Sequence, residues 1–551
     1  MSQLARPKLR TPAVFGIVAG LIVILAAATA YLYGPLVSAK FGLIDDHEIL
    51  SYFGTKKTVS ILDLPRILAT QTEVGAWGHT ERFRPVYYVF RILETVWHGL
   101  SPAAWYLTRM VIVALVTAGL GFAAFRALNS GPASRARQVC SLIIAVVIGL
   151  LTLTVPAWSD IVMRLGPSEI YVALGVMFFC VGLGEVWSHR ERHFGWIIAV
   201  VGTVIIVGSK EDGLIVLPIL AVVYVLRFPS ARAKVTAITV GAIGLVFSMY
   251  VALGFLPAVL KSRSDVYGNG HSVGRFVREF WGNDFLVVVV VALVIAFLGD
   301  IAFSVKPGRT DRSAGTRLLA FLSRKPRAII CALCLYVVLA ELFFYQSYFN
   351  DNSFAFGRYG LLTELATALA FATAAATAVE FLLRRRMSAI ALVSIIGTVV
   401  LVGLPPTIEQ VTASVGTFRS LSASTAAQLD QQAAQIDRGI SDVRRHPSTQ
   451  IVILVQSPSD YEPIVGLTSF LRLDDHITSI FLRPTLPKSP PPSEVELVKQ
   501  LNDFAAHGGW SQNGWRVLPK SDYVPSKRTT CFYFGSRPAV TSMCSVIYQI
   551  D

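Results

Sequence analysis

PVYYVFRILETVWHG, residues Pro85 to Gly99, decides how this chain is threaded. The stretch is aromatic and apolar, but Arg91, Glu94 and His98 interrupt it. That mixture suits a helix lying in a membrane interface better than one crossing the hydrocarbon. If the stretch stays on the side where it enters, Ala104 to Phe125 crosses back and meets Arg126, Arg135 and Arg137. Continued alternation makes His189–His193, Arg227–Lys234, Val305–Arg327 and Arg384–Arg386 cytoplasmic loops. These hold the dense basic clusters, including Lys306, Arg309, Arg312, Arg317, Arg324, Lys325 and Arg327, as the positive-inside rule asks. The opposite threading puts those clusters outside, so the expectation is about eleven spans, N-terminus in and C-terminus out.

The composition agrees with a polytopic α-helical membrane protein. Of 551 residues 53% are hydrophobic and only 15% charged, against about a quarter charged in soluble domains. Apolar runs recur at the length that crosses a hydrocarbon core of ~30 Å. The net charge of +14 sits in short loops as an orientation signal, so no nucleic-acid partner is expected. Arg6, Lys8 and Arg10 precede the first apolar run, which extends from Pro12 to about Tyr33. That run exceeds the roughly 7–15 apolar residues of a cleaved signal, so it reads as an uncleaved first helix. A plasma (inner) membrane location is expected. Cys140, Cys180, Cys331 and Cys334 lie in apolar segments and read as packing residues, the pair Cys331 and Cys334 included.

The first helix delivers the chain to a long external loop, residues 34–104, which opens with FGLIDDHE, Phe41 to Glu48. Ionisable groups at a membrane edge point to function. Ser60 to Gln71 reads as a short amphipathic helix. The other outer connections are Val155–Ser168, Gly208–Gly213, Leu256–Asp284 and Tyr345–Arg358. The second span carries Arg109, a cation that demands a partner, either a first-loop carboxylate or a bound phosphate. Tyr171, Phe354 and Phe356 read as an aromatic interface belt; for Lys210 the alternative to a role at the site is a pair with Glu211 alone.

Pro405-Pro406 marks a boundary, giving a transmembrane domain at 1–404 and an extracytoplasmic α/β domain at 405–551. In the latter, Phe418–Arg445 reads as a polar helix, Gln450–Gln456 as a buried strand, Tyr461–Leu473 as a helix and Ser479–Leu482 as a strand. Ser493–Ala506 carries a capping signature, and Thr529–Phe534 with Ser545–Ile550 read as a closing hairpin. Strand and helix alternation argues for the α/β class. Cys531 and Cys544 fall on the two arms in an oxidising compartment, where a disulfide is permitted. Asp474 to His476 reads as a solvated helix end.

The outer elements border one compartment. It gathers the carboxylates Asp45 and Asp46, the cations Arg82, Arg84, Lys210, Arg263 and Arg358, and the aromatics Tyr87, Tyr88, Tyr171, Tyr345, Tyr348 and Tyr359. An aspartate can take the proton of an attacking hydroxyl if its pKa of ~3.9 is raised, and an adjacent carboxylate raises it. Cations at the bilayer edge suit a phosphate, which arginine grips bidentately. A sugar on a lipid phosphate needs both parts.

Four stretches then carry a resemblance: IDDHEI (Ile44–Ile49), RFRPVYYVFRIL (Arg82–Leu93), SKEDGLIVLP (Ser209–Pro218) and FGRYGLL (Phe356–Leu362). Together they resemble the GT-C superfamily of integral-membrane glycosyltransferases, which use polyprenyl-phosphate-linked sugars. The resemblance implies a fold of GT-C type, inverting transfer to an acceptor hydroxyl, and a first-loop aspartate, Asp45 or Asp46, as base. It implies that Arg84 and Arg358 hold the donor phosphate and that Lys210 lies near the cavity; Lys210 and Arg263, cations of the same compartment, are further candidates for binding that phosphate. His47, Glu48, Tyr87 and Tyr359 are the candidate substrate contacts. Some family members use a divalent cation, for which the single Asp45-Asp46-His47 cluster offers too few ligands to assign a site. The expected partners are a polyprenyl-phosphate sugar, a glycan, lipid or protein acceptor, and membrane lipid. The competing class is a transporter or flippase of a lipid-linked saccharide, which calls for ionisable residues deep in several spans and broken helices in matching halves.

Overall fold

The computed structural model describes residues 11–53, 57–128, 135–188, 193–228, 231–262, 326–346, 358–369, 389–446, 449–455, 461–474, 477, 480–484, 515–517, 528–535 and 544–550. Arg263, the helix expected at Ser493–Ala506 and the aromatics Tyr348, Phe354 and Phe356 lie outside them.

Among the described residues four helices are long and apolar enough to cross a membrane, five if one bent pair counts as a single span. The first is α1 (Thr11–Tyr33), whose 23 residues extend about 35 Å. The loop after it carries two short helices, α2 (His47–Phe53) and α3 (Leu64–Gln71). Ser60 closes a capping box ahead of α3, its hydroxyl accepting from Leu62 N–H and Asp63 accepting from Ser60 N–H.

Next comes α4 (Pro85–His98), opened by a proline whose missing N–H costs nothing at a helix start. At 14 residues it extends about 21 Å, short of a ~30 Å core. Its buried stripe is Tyr87, Tyr88, Arg91, Ile92, Glu94 and Thr95, while Trp97 is 74% exposed. The charges that excluded it as a span therefore point into the protein.

The bundle continues with α5 (Pro102–Leu128), α6 (Arg135–Leu153), the short α7 (Ala157–Met163), α8 (Glu169–Ser188) and α9 (His193–Ser209). A 62° bend separates α6 from α7. After a 3-10 turn over Glu211–Val216 come α10 (Leu217–Arg227), α11 (Ala231–Ser262), α12 (Pro326–Gln346) and α13 (residues 361–369).

The boundary expected at Pro405-Pro406 falls inside one helix. Helix α14 (Ala389–Arg445) runs unbroken through both prolines. It passes α1, where Phe418 meets Tyr33 at 6.4 Å and Arg419 donates to the Tyr31 carbonyl at 2.9 Å. Its far end supports a five-stranded sheet together with α15 (Tyr461–Arg472).

The strands are β1 (Gln450–Val455), β2 (Ile480–Pro484), β3 (Trp515–Val517), β4 (Thr529–Phe534) and β5 (Val546–Ile550), in the order β3-β2-β1-β4-β5. All four pairings are parallel. Buried on both faces, central β1 reads as a continuous apolar run. The hairpin expected of β4 and β5 is therefore replaced by a parallel pair, Cys531 opposite Ile547. Strand composition does not encode direction, and only the register shows it. A disulfide joins Cys531 to Cys544, with Cα atoms 5.6 Å apart. One sheet face packs Ile451, Ile453, Val455 and Phe532 against Ile436, Val443, Ile464 and Leu467. Asp474, expected to be solvated, is 5% exposed and accepts from Arg444 Nε at 2.6 Å, which ties α15 to α14.

Candidate active site

The two adjacent aspartates part company. Asp46 is 1% exposed, and both its oxygens are taken by backbone: Oδ2 accepts from Gly42 N–H at 2.7 Å and Oδ1 from Leu165 N–H at 2.8 Å. It closes its own loop and stitches that loop to the α7–α8 connection. With both oxygens committed to backbone N–H groups, Asp46 does not fit the base role left open between it and Asp45. Asp45 pairs with side chains instead. Its carboxylate accepts from Arg358 Nη1 at 3.0 Å and from Arg164 Nη1 at 3.4 Å.

Asp45 reaches that position through φ +66°, a left-handed backbone that is uncommon for a residue with a Cβ. Its neighbour across the contact is Gly166, where an added Cβ would lie 2.1 Å from Asp45 Cβ and 2.7 Å from its carbonyl oxygen. Glycine there is what lets the two loops touch. Tyr87 Oη joins the same junction, donating to Glu48 Oε2 at 2.5 Å and lying 2.8 Å from the Gly166 carbonyl. His47 opens α2 beside them.

Burial pushes the Asp46 carboxyl up to about 7, against the pull of the Gly42 N–H, Arg91 and the Leu165 N–H, and with the Asp45 charge adding to the rise. The unfolded value is near ~3.9, so the folded chain holds an extra proton between the two. Stability contributed this way is complete below the unfolded pKa and is lost as pH rises from ~4 to ~7. Asp46→Asn removes the titration and leaves one acceptor facing two N–H donors. Thermal melts between acid and neutral pH are expected to show a lower Tm at acid pH for the variant and a flatter pH dependence. An unchanged slope would show that Asp46 does not titrate in that window.

The cations come from distant elements. Arg84, at the N-cap of α4, places Nε 3.0 and 3.1 Å from the two oxygens of Glu211, and Phe83 N–H donates to the same carboxylate. Lys210 donates to Glu169 at 2.8 Å and lies 3.6 Å from Asp212. The alternative of a Lys210–Glu211 pair is not what forms: Lys210 pairs with Glu169 and Glu211 with Arg84. Burial pulls the Lys210 pKa down, but Asp212 and Glu169 outweigh it and raise the net value. Burial also pushes Glu73, near Arg84, up to about 7. Arg358 opens the turn at Arg358–Gly360, in which Tyr359 follows; the side chain of Tyr359 lies outside the described residues.

Beneath this polar layer lies a second set that composition did not reveal. Arg109, fully buried, meets Glu94 at 3.3 Å, the Leu165 carbonyl at 3.0 Å and Tyr171 Oη at 3.3 Å. Its partner is a first-loop carboxylate. Tyr171 donates to Glu94 at 2.6 Å and is 2% exposed, so it belongs to the core and not to an interface belt. Arg91 lies 5.7 Å from the Tyr87 ring and 5.4 Å from Trp105, and its three side-chain nitrogens make no hydrogen bond among the described residues. Arg164 was present in the sequence as one polar residue of an outer loop, with nothing to pair it with Asp45.

An apolar cavity of about 150 Å³ opens among α5, α8, α10, α12 and α13, lined by Phe179, Leu183, Ile219, Leu333 and Leu362 among others. Leu362, four residues after Arg358 in the chain, is one of its lining residues; Arg358 itself is not. Among the described residues no group of three or more His, Cys, Asp or Glu is placed to hold a metal ion.

No protein-family model matches this chain, and no curated protein matches it. Among solved structures it is similar to a crystal structure of ArnT from Cupriavidus metallidurans bound to undecaprenyl phosphate. The two share 12% identity over 91% of this chain and 90% of that chain, with a TM-score of 0.45. Likeness at that level assigns no role to any residue here.

Proposed function

We propose that this chain is a membrane glycosyltransferase of GT-C type, moving a sugar from a polyprenyl-phosphate donor to an acceptor hydroxyl on the extracytoplasmic face. The observation that carries the reading is Asp45, a carboxylate held between Arg358 and Arg164; the helix that follows Arg358 lines an apolar cavity through Leu362. The donor phosphate competes for Arg358, with Lys210 and Arg84 behind it, while the lipid enters the apolar cavity. Release of Arg358 to the phosphate frees Asp45 to accept the acceptor's proton as the oxygen attacks the anomeric carbon. The bond from that carbon to the phosphate oxygen breaks, the configuration inverts, and the cations stabilise the departing polyprenyl phosphate. Glu48 and Tyr87 hold the loop, and His47 lies at its rim.

The reading is tested on purified protein in lipid nanodiscs with a labelled polyprenyl-phosphate sugar pool. Transfer of label to a glycan, lipid or protein acceptor is expected. Loss of a hydrogen bond to a charged group costs about 1.5–3 kcal/mol, so Arg358→Ala should weaken polyprenyl-phosphate binding about tenfold or more. Binding as tight as wild type would remove Arg358 from the donor site. In proteoliposomes, intact labelled lipid changing leaflets without transfer would replace the reading with a transport one.

A further inference from the structure

The loop that presents Asp45 is gripped from two sides, and one grip comes from the C-terminal sheet unit. Leu43, two residues before Asp45, is 2% exposed and belongs to the apolar core of the sheet face with Ile436, Ile453 and Leu467. Helix α15 touches it backbone to backbone: a Cβ on Gly466 would lie 2.2 Å from the Leu43 carbonyl oxygen and 2.7 Å from its Cα. Phe41 packs on Phe470 of the same helix, ring centroids 6.5 Å apart. Helix α15 is in turn fixed to α14 by Arg444 and Asp474.

We infer that the C-terminal unit is a positioning element for Asp45, with Leu43, Gly466 and Phe470 as the positioning residues; this rests on the glycosyl-transfer reading for its effect on rate. The opposite grip is the α7–α8 connection, through Gly166 and the Asp46 bridge to Leu165. Between the two anchors only Ile44 intervenes, and it is 41% exposed. The left-handed backbone at Asp45 is over-determined by these contacts, as strained residues at functional sites must be. A shift of α15 therefore moves the carboxylate relative to Arg358 without touching either.

The test compares Gly466→Ala and Leu43→Ala with Leu43→Met, which conserves apolar volume. A displacement of about 1 Å can cost ~10²-fold in rate, so kcat per folded molecule should fall by about that order for the first two. Leu43→Met should recover most of it, and KM for the donor should stay near wild type. Independently of activity, Asp45→Cys is labelled with an impermeant thiol reagent, and adding Leu43→Ala or Gly466→Ala should change the labelling rate several-fold. If kcat per folded molecule and labelling rate both stay at the reference values, the inference is overturned. If labelling shifts but wild type transfers no sugar, the coupling stands and the enzymatic reading fails. Should one variant not fold, the other and the labelling rate decide.

Discussion

Asp45→Asn is expected to lower sugar transfer by ~10²–10⁴-fold, the usual cost of removing a positioned general base. Asparagine preserves the size of the side chain and one acceptor oxygen, so Arg358 keeps a partner at the 3.0 Å position. What it loses is the ability to accept a proton. The effect should therefore fall on kcat, with donor affinity at or above the wild-type value because a neutral side chain competes less well for Arg358. Single-turnover transfer from a labelled polyprenyl-phosphate sugar separates the two quantities. Transfer at the wild-type rate by a folded Asp45→Asn protein would end the assignment of Asp45 as base. The contrast with Asp46 sharpens the test, because Asp46 spends both oxygens on backbone amides and its replacement should appear first in stability.

Glu94→Leu is expected to destabilise the fold by about 3–5 kcal/mol, the cost of leaving a buried charge without its partner. Glu94 is the carboxylate facing Arg109, which is 0% exposed, and it also accepts the Tyr171 hydroxyl. Arg91, equally buried, lies on the same side of α4 and makes no hydrogen bond of its own among the described residues. Losing Glu94 thus leaves the Arg109 guanidinium without its carboxylate partner and takes one of the nearby negative charges from Arg91. Adding Arg109→Leu should restore much of the loss, since an apolar pair of similar volume often replaces a buried ion pair without penalty. Denaturation of the wild type, both single variants and the double variant gives the coupling directly. A coupling near zero would mean the pair is incidental to stability.

Much of the helical scaffold was legible because periodicity is a local property. The apolar run before Tyr33, the amphipathic pattern after Ser60 and the proline opening α4 each act within a few residues. The polar stripe of α4 also stood in the sequence, but not the direction it faced. Lipid headgroups and a polar protein interior both accept Arg91 and Glu94, and only packing against Arg109 and Tyr171 decides between them. Lys210 and Glu211 show the same limit. Neighbouring opposite charges suggested a pair, yet the turn after α9 sends one to Glu169 and the other to Arg84.

What the sequence by itself determined is the class of the protein: apolar helices long enough to cross a membrane, a first loop bearing DDHE, and an apolar strand at Gln450–Val455. Tertiary structure alone decided which partners each aspartate has, what direction β5 runs and what holds the loop. Asp45 and Asp46 are chemically identical and adjacent, and one positive φ turns their side chains to opposite environments. The partners that distinguish them stand far away in the chain, Leu165 at a separation of 119 and Arg358 at 313. Local propensity carries no information over such distances, whereas close packing does, because a Cβ at Gly166 or Gly466 would leave the loop no room.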